Sequence, residues 1–223
     1  MAQVDTDAEV GLAERAYISL RDSILAHELR PGTRLSVPVV ADRLGISRSP
    51  AREAIARIAH EGLADVSPNR GAVVADLADD DLVEIYQLRE VLEGLACRLA
   101  APKFSDSDVL TLESLVDEHA TAVEAQDVER HYELDVAFHS AIRDIAANVR
   151  LSSSLDLLQG QIRLGMYRTH RSPGGMRQAL AEHRLILNAL RLGDPAVAES
   201  AGRAHIARLL RDLPNTPPSA HAV

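Results

Sequence analysis

The sequence has no tryptophan, one cysteine and one lysine. The lone Cys97 excludes an internal disulfide and any multi-cysteine zinc site, and it fits a reducing compartment. Lys103 is the only lysine, so the positive charge is almost all guanidinium. Aromatic residues make up 3% of the chain. Ala and Leu dominate the apolar fraction, which favours helix over strand. No apolar run is long enough to span a bilayer. The acidic N-terminus lacks an apolar h-region, so no secretory leader is expected and a cytoplasmic location is. Basic residues are too few for a histone-like binder, with 24 Lys+Arg against 33 Asp+Glu and a net charge of −9. What is present is a chain of 223 residues, 46% hydrophobic, long enough for one or two domains with a real core.

The average charge hides a division. Residues 10–75 hold nine arginines against seven acids, whereas residues 76–223 hold 15 basic residues against 23 acids. A slightly basic segment joined to an acidic remainder predicts two modules with different partners. The run Asp76, Asp79, Asp80, Asp81 marks the boundary and suits the N-terminus of a new helix. The expected domains are 10–76 and 77–213. A Pro-, Ser- and Ala-rich stretch, 214–223, reads as a loose tail.

In the first module, residues 13–28 read as a helix with Ala16, Leu20, Ile24 and Leu25 at helical spacing. Arg30-Pro31-Gly32 is a turn signal. A short helix follows over 37–44, ended by Gly45 as a left-handed cap. A third helix opens with Ser47 as N-cap and Arg48-Ser49-Pro50 in its first turn, with Ala51, Ile55 and Ile58 apolar. Two short helices joined by a tight Gly turn form a helix-turn-helix. Strand-like Leu63–Ser67 and Ala72–Ala75, joined by Pro68-Asn69-Arg70-Gly71, add a β-hairpin that makes the motif winged. The start of the third helix would present Arg48, Ser49 and Arg52 to a major groove, where Arg can bond guanine in bidentate fashion. Ser47, Ser49 and nearby backbone N–H groups suit phosphate. Arg70 and Gly71 form the wing tip, with Arg70 placed to probe a minor groove.

The run Leu44-Gly45-Ile46-Ser47-Arg48-Ser49-Pro50-Ala51-Arg52-Glu53-Ala54-Ile55, with Glu61-Gly62-Leu63 and the Arg70-Gly71 wing, closely resembles the winged helix-turn-helix of GntR-family bacterial transcription regulators. That resemblance implies operator DNA as a partner. The chain departs from the family pattern at Val37-Pro38-Val39, where a polar residue is usual.

From Asp79 onward the pattern is helical throughout. Six helices are expected near 79–101, 106–125, 127–147, 151–170, 175–192 and 195–213, with short connections that imply an antiparallel bundle. The expected fold class is therefore mostly α, a winged helix-turn-helix of three helices plus a β-hairpin joined to a six-helix bundle. Four polar residues interrupt the apolar faces. Asp135 and His139 share one face at i, i+4, His183 sits within the stripe Leu180, Leu187, Leu190, and His205 lies on the face of Ala198 and Ala201. An unpaired buried imidazole is costly, and a metal meets that need. One carboxylate and three neutral imidazoles suit zinc first, with nickel, manganese or iron(II) as alternatives. By spacing alone, each inward histidine is equally a hydrogen-bonded core residue, and His131 is an alternative ligand to His139.

The stretches Asp135-Val136-Ala137-Phe138-His139, Ala181-Glu182-His183, Gly193-Asp194-Pro195 and Ala204-His205-Ile206 are similar to the FCD ligand-binding domain of the FadR subgroup. The resemblance implies a divalent metal on Asp135, His139, His183 and His205. Leu88-Arg89-Glu90-Val91-Leu92-Glu93 is similar to the FCD motif whose Arg meets an effector carboxylate, and a salt bridge to Glu93 is the competing role for Arg89. Arg143, Arg163 and Arg168 are further cavity candidates that the sequence does not rank. Cys97 reads as a small buried hydrophobe. Together these readings predict a ligand-responsive repressor, not an enzyme. It would be a homodimer on a pseudo-palindromic operator, with a small carboxylate as effector and no membrane partner. The competing readings are a metal-dependent enzyme with a DNA-binding appendage, and a regulator whose metal is structural or absent.

Overall fold

A computed structural model describes residues 3–67, 71–169 and 175–213. The chain divides into two compact units, one of Met1–Leu77 with Leu157–Leu164, the other of Ala78–Asp156 with Gly165–Val223. Arg70 and the tail 214–223 lie outside the described residues.

The first unit begins with α1 (Gln3–Leu25), followed by β1 (Arg34–Leu35), α2 (Val37–Leu44), α3 (Arg48–His60), β2 (Ala64–Ser67) and β3 (Gly71–Val74). Its core joins Leu20 and Ile24 of α1 to Ala51, Ile55 and Ile58 of α3, with Leu63 and Val74 below them. Pro38 occupies the first turn of α2, where its missing N–H costs nothing. Gly45 ends α2 at φ 64°, a left-handed conformation that favours glycine. The Ile46 N–H then bonds the Ala41 carbonyl at 3.0 Å and the Gly45 N–H bonds that of Asp42 at 3.2 Å, the pairing of a Schellman motif. This turn sets the direction in which α3 leaves. The expected hairpin is present but is part of a larger sheet. A third strand, β1, pairs with β3, giving the antiparallel order β1-β3-β2 with Leu35 opposite Ala72 and Val66 opposite Ala72 on the other side. Two residues are too few to show an alternating pattern, so this strand was not expected.

The second unit comprises α4 (Asp79–Ala100), a single 3₁₀ turn at Ala101–Lys103, α5 (Asp106–Glu124), α6 (Val128–Ala146), α7 (Val149–Thr169), α8 (Gly175–Arg191) and α9 (Pro195–Arg211). The segment Leu157–Leu164 of α7 belongs to the first unit, while Leu151 and Leu155 lie in the core of the second. That core gathers Leu112, Phe138, Ile142, Leu155, Ile186 and Leu190. Side-chain caps start several of its helices, among them α6 and α9. Asp127 accepts from the Arg130 N–H at 3.0 Å, and Asp194 accepts from the Ala196 N–H at 2.8 Å. No helix among the described residues is long and apolar enough to cross a membrane.

The pairing of α4 with α9 is close because small residues face each other. A Cβ on Gly202 would lie 2.7 Å from Cys97 Sγ, and one on Gly94 would lie 2.4 Å from Arg203 Cγ. Cys97 is buried and acts as the expected small apolar filler. Burial pushes its thiol pKa well up, so it stays neutral. Replacing Gly202 by Val should overpack this seam and lower stability by about 1–3 kcal/mol, read from urea unfolding. Unchanged stability would mean that the seam is not close-packed.

Candidate metal centre and nucleic-acid interface

Three helices deliver the polar core of the bundle. Helix α6 carries Asp135 and His139 one turn apart, α8 carries His183, and α9 carries His205. All four side chains are buried, and their ligand atoms lie within 4.8 Å of one another. His183 Nε2 is 3.3 Å and His139 Nε2 is 3.9 Å from Asp135 Oδ1, while the Nε2 atoms of His139 and His205 are 3.4 Å apart. Bonds of about 2.0–2.2 Å to one ion would place such atoms roughly 3–4 Å apart.

A second layer orients the rings. Glu182, next to His183 in the chain, hydrogen-bonds His205 Nδ1 at 2.7 Å and also accepts from Arg208 Nε at 2.9 Å. Glu93 Oε2 lies 3.2 Å from His139 Nδ1, within ion-pair distance but without the alignment of a hydrogen bond. A carboxylate on the outer nitrogen fixes an imidazole tautomer and raises its basicity toward a metal, as in carboxylate–histidine–metal triads. Arg89 reaches both Asp135 and Glu93, with nitrogens 3.7 Å from each carboxylate. The Glu93 salt bridge expected as one role of Arg89 is therefore present, and Asp135 is a second carboxylate within its reach.

Charge states follow from this packing. Burial pushes the His183 and His205 pKa values down, well down for His205, leaving neutral imidazoles with free lone pairs. Burial alone would raise the Asp135 pKa. The close approach of His183, the field of His139 and the charge on Arg89 outweigh burial and hold the carboxyl well below its usual range. Glu93 behaves in the same way, with His139, Arg89 and Arg143 overcoming burial to hold it at about 2. Two neutral imidazoles and an ionised carboxylate are the protonation states a divalent ion requires. His183 Nδ1 and Nε2 are also buried with no hydrogen-bond partner, a condition that a metal ligand relieves. The donor set fits such an ion.

His119 and His131 form a neighbouring pair. His131 does not join the four-residue cluster. Its Nδ1 contacts His119 Nε2, and the His119 ring centroid lies 5.2 Å from that of His183. Burial and the fields of His183 and His131 lower the His119 pKa to about 3. His119 falls on the Leu112–Val116–Val123 stripe, so periodicity places it inward. Among the other arginines, Arg143 is buried and Arg163 half-buried, while the Arg168 side chain lies outside the described residues.

At the other unit, Ser47, Arg48, Ser49 and Arg52 are all exposed around the start of α3. Ser47 takes the N-cap position, but its hydroxyl makes no capping bond. Among the described residues neither Arg48 nor Arg52 is tied into an ion pair, whereas Arg57 is held by Glu14 at 2.5 Å and stacks on Tyr17. Gly71 is exposed at φ 77° and opens β3. The acidic Glu61, placed after α3, is occupied by Tyr17 and Arg21.

Residues 12–74 match the gntR family of bacterial regulatory proteins, and residues 84–208 match the FCD domain. The chain is 30% identical over 203 residues to an HTH-type transcriptional regulator in an unstable DNA locus of Streptomyces ambofaciens, covering 88% of this chain and 83% of the relative. It is 29% identical over 195 residues to the HTH-type transcriptional repressor RspR of Escherichia coli, covering 86% and 85%. The solved structure of E. coli McbR/YncC matches with a TM-score of 0.71 at 25% identity, over 90% of this chain and 93% of that one.

The depressed Glu93 value sets a pH dependence. Its folded pKa, about 2, lies below the ordinary 4.5, so its ionised form stabilises the fold above the ordinary value. That contribution is lost as pH falls toward about 2. Urea midpoints of the metal-free protein should therefore drop between pH 5 and 3 more steeply than those of Glu93→Gln. Parallel profiles would show that Glu93 is not held ionised by its neighbours.

Proposed function

The chain belongs to the GntR family of transcriptional regulators and carries an FCD domain, and from that premise we propose that it is a repressor released from its operator by a small carboxylate. The observation that carries this reading is the buried convergence of Asp135, His139, His183 and His205 inside an FCD domain. Zinc is the ion we assign, because three imidazoles and one carboxylate match its preferred donors. A divalent ion held there supplies a Lewis-acidic anchor for a carboxylate oxygen. The protein's own groups do the rest. Glu93 and Glu182 orient His139 and His205, and Arg89 offers a guanidinium that recognises a carboxylate in bidentate fashion.

At the DNA, Arg48, Ser49 and Arg52 at the start of α3 read the major groove, and Ser47 with backbone N–H groups holds phosphate. The wing at Arg70 and Gly71 adds a contact alongside. A homodimer presents two such surfaces to a pseudo-palindromic operator. The effector acts by binding one arrangement of the paired winged helices more tightly than the other, because without such a difference it shifts nothing. The repressor assignment is supported by RspR, which is named as one.

Chelator-treated protein should take up one zinc ion per chain with a rise in melting temperature, and His183→Ala should lose both. Failure to bind metal would remove the centre from the account. Arg52→Ala should abolish specific operator binding in a mobility-shift assay while helix content and dimer mass stay unchanged. Retained binding would show that Arg52 does not read bases. Wild-type affinity should fall steeply with salt, since arginines displace counterions from DNA.

A further inference from the structure

We propose that the effector is a dicarboxylate, with one carboxylate beside Asp135 and Arg89 and the other held by the buried Arg143. This inference rests on the reading above that the bundle binds a carboxylate next to a divalent ion.

Arg143 extends the face of α6 that already carries the cluster. Asp135, His139 and Arg143 follow one another at i, i+4 and i+8, so Arg143 lies about 6 Å along the helix beyond His139. It is 5% exposed, and its Nε and Nη1 are buried without hydrogen-bond partners. Among the described residues its ion-pair partner is Asp156, 3.6 Å away with a side chain 67% exposed, so the contact is long and largely in water. Arg89 shows the same pattern at the other end. It is 2% exposed, its Nε and Nη1 are also unpartnered, and its two carboxylate contacts are 3.7 Å long. Arg208 is the control within this fold. It is equally buried, but Glu182 and Asp212 hold its Nε and Nη1 at 2.9 Å and only Nη2 lacks a partner.

Charge closure points the same way. Among the described residues, the buried carboxylates facing Arg89 and Arg143 are Asp135 and Glu93, and Asp156 reaches Arg143 from the exposed side. A divalent ion adds two positive charges that no further buried carboxylate among the described residues offsets, since Glu182 is committed to Arg208. Buried charge without a partner is strongly unfavourable. A monocarboxylate cancels half of the excess and leaves the donors of Arg143 empty. A dicarboxylate cancels all of it and occupies two guanidiniums in the geometry each prefers.

The test titrates zinc-loaded full-length protein with succinate, glutarate and adipate, and with butyrate, valerate and hexanoate as chain-matched monocarboxylates, by calorimetry and thermal shift at constant ionic strength. At least one dicarboxylate should bind tenfold or more tightly than its matched monocarboxylate. Arg143→Gln should remove that preference while monocarboxylate binding and zinc content stay as in wild type, and Arg143→Lys should restore part of it. Equal affinity for the two series on wild type, which requires no variant to fold, would overturn the dicarboxylate and leave a carboxylate effector standing. A preference that survives in Arg143→Gln would overturn the role of Arg143. Binding of neither series to the zinc-loaded protein would overturn both this inference and the effector reading beneath it.

Discussion

The bundle depends on holding ionised groups in a place that water does not reach. Asp135, Glu93, Arg89 and Arg143 are each at most 5% exposed, and five histidines lie among them. Any one of these charges alone would cost several kcal/mol. Each is tolerated because the others are fixed within reach, and the fixing is done by the backbone. The close α4–α9 seam, set by Gly94 and Gly202, brings Glu93 and His205 into one core. The aspartate caps at Asp127 and Asp194 start the helices that carry Asp135, His139 and His205.

A core of this kind is a poor stabiliser by itself. Well-packed apolar residues of similar volume would often stabilise as well or better. What the charged core adds is dependence on what enters it. Burial keeps His183 and His205 neutral and neighbouring groups keep Asp135 and Glu93 ionised, which are the states a metal ligand set needs. The DNA-reading unit is built the opposite way. Its core is apolar, and Arg48 and Arg52 stand exposed, with no ion pair among the described residues. This arrangement also accounts for the acidic net charge. The acids belong mostly to the helical bundle, while Arg48 and Arg52 stand exposed at the start of α3 in the slightly basic unit.

Much of this was legible in the sequence, for identifiable reasons. Helices α2 to α9 follow from apolar spacings of three and four interrupted by Gly, Pro and capping acids, and α2 was expected at its observed limits because Pro38 and Gly45 bracket it. The four residues of the polar cluster stood out because each breaks an apolar stripe. Glu93 was expected only as a partner of Arg89, and Glu182 not as a ring partner at all, since an acid on a helix reads as solvent-facing until a partner helix is placed over it. Strand β1 was invisible because two residues carry no pattern. The assignment of Leu157–Leu164 to the first unit was also hidden. Periodicity shows which face of α7 is apolar, not what covers it. His119 was within reach, since it sits on the same stripe as Leu112 and Val116, and the rule that flagged the other histidines applies to it.

The central claim is that a divalent ion on Asp135, His139, His183 and His205 keeps a position open for a carboxylate. Cobalt(II) substituted into the chelator-treated protein reports this directly, because its visible bands follow coordination number and ligand type. The account predicts bands of a nitrogen- and oxygen-ligated ion that are absent in His183→Ala and change in position and intensity when succinate is added. Bands that persist in His183→Ala, or that stay unchanged at saturating carboxylate, would contradict it.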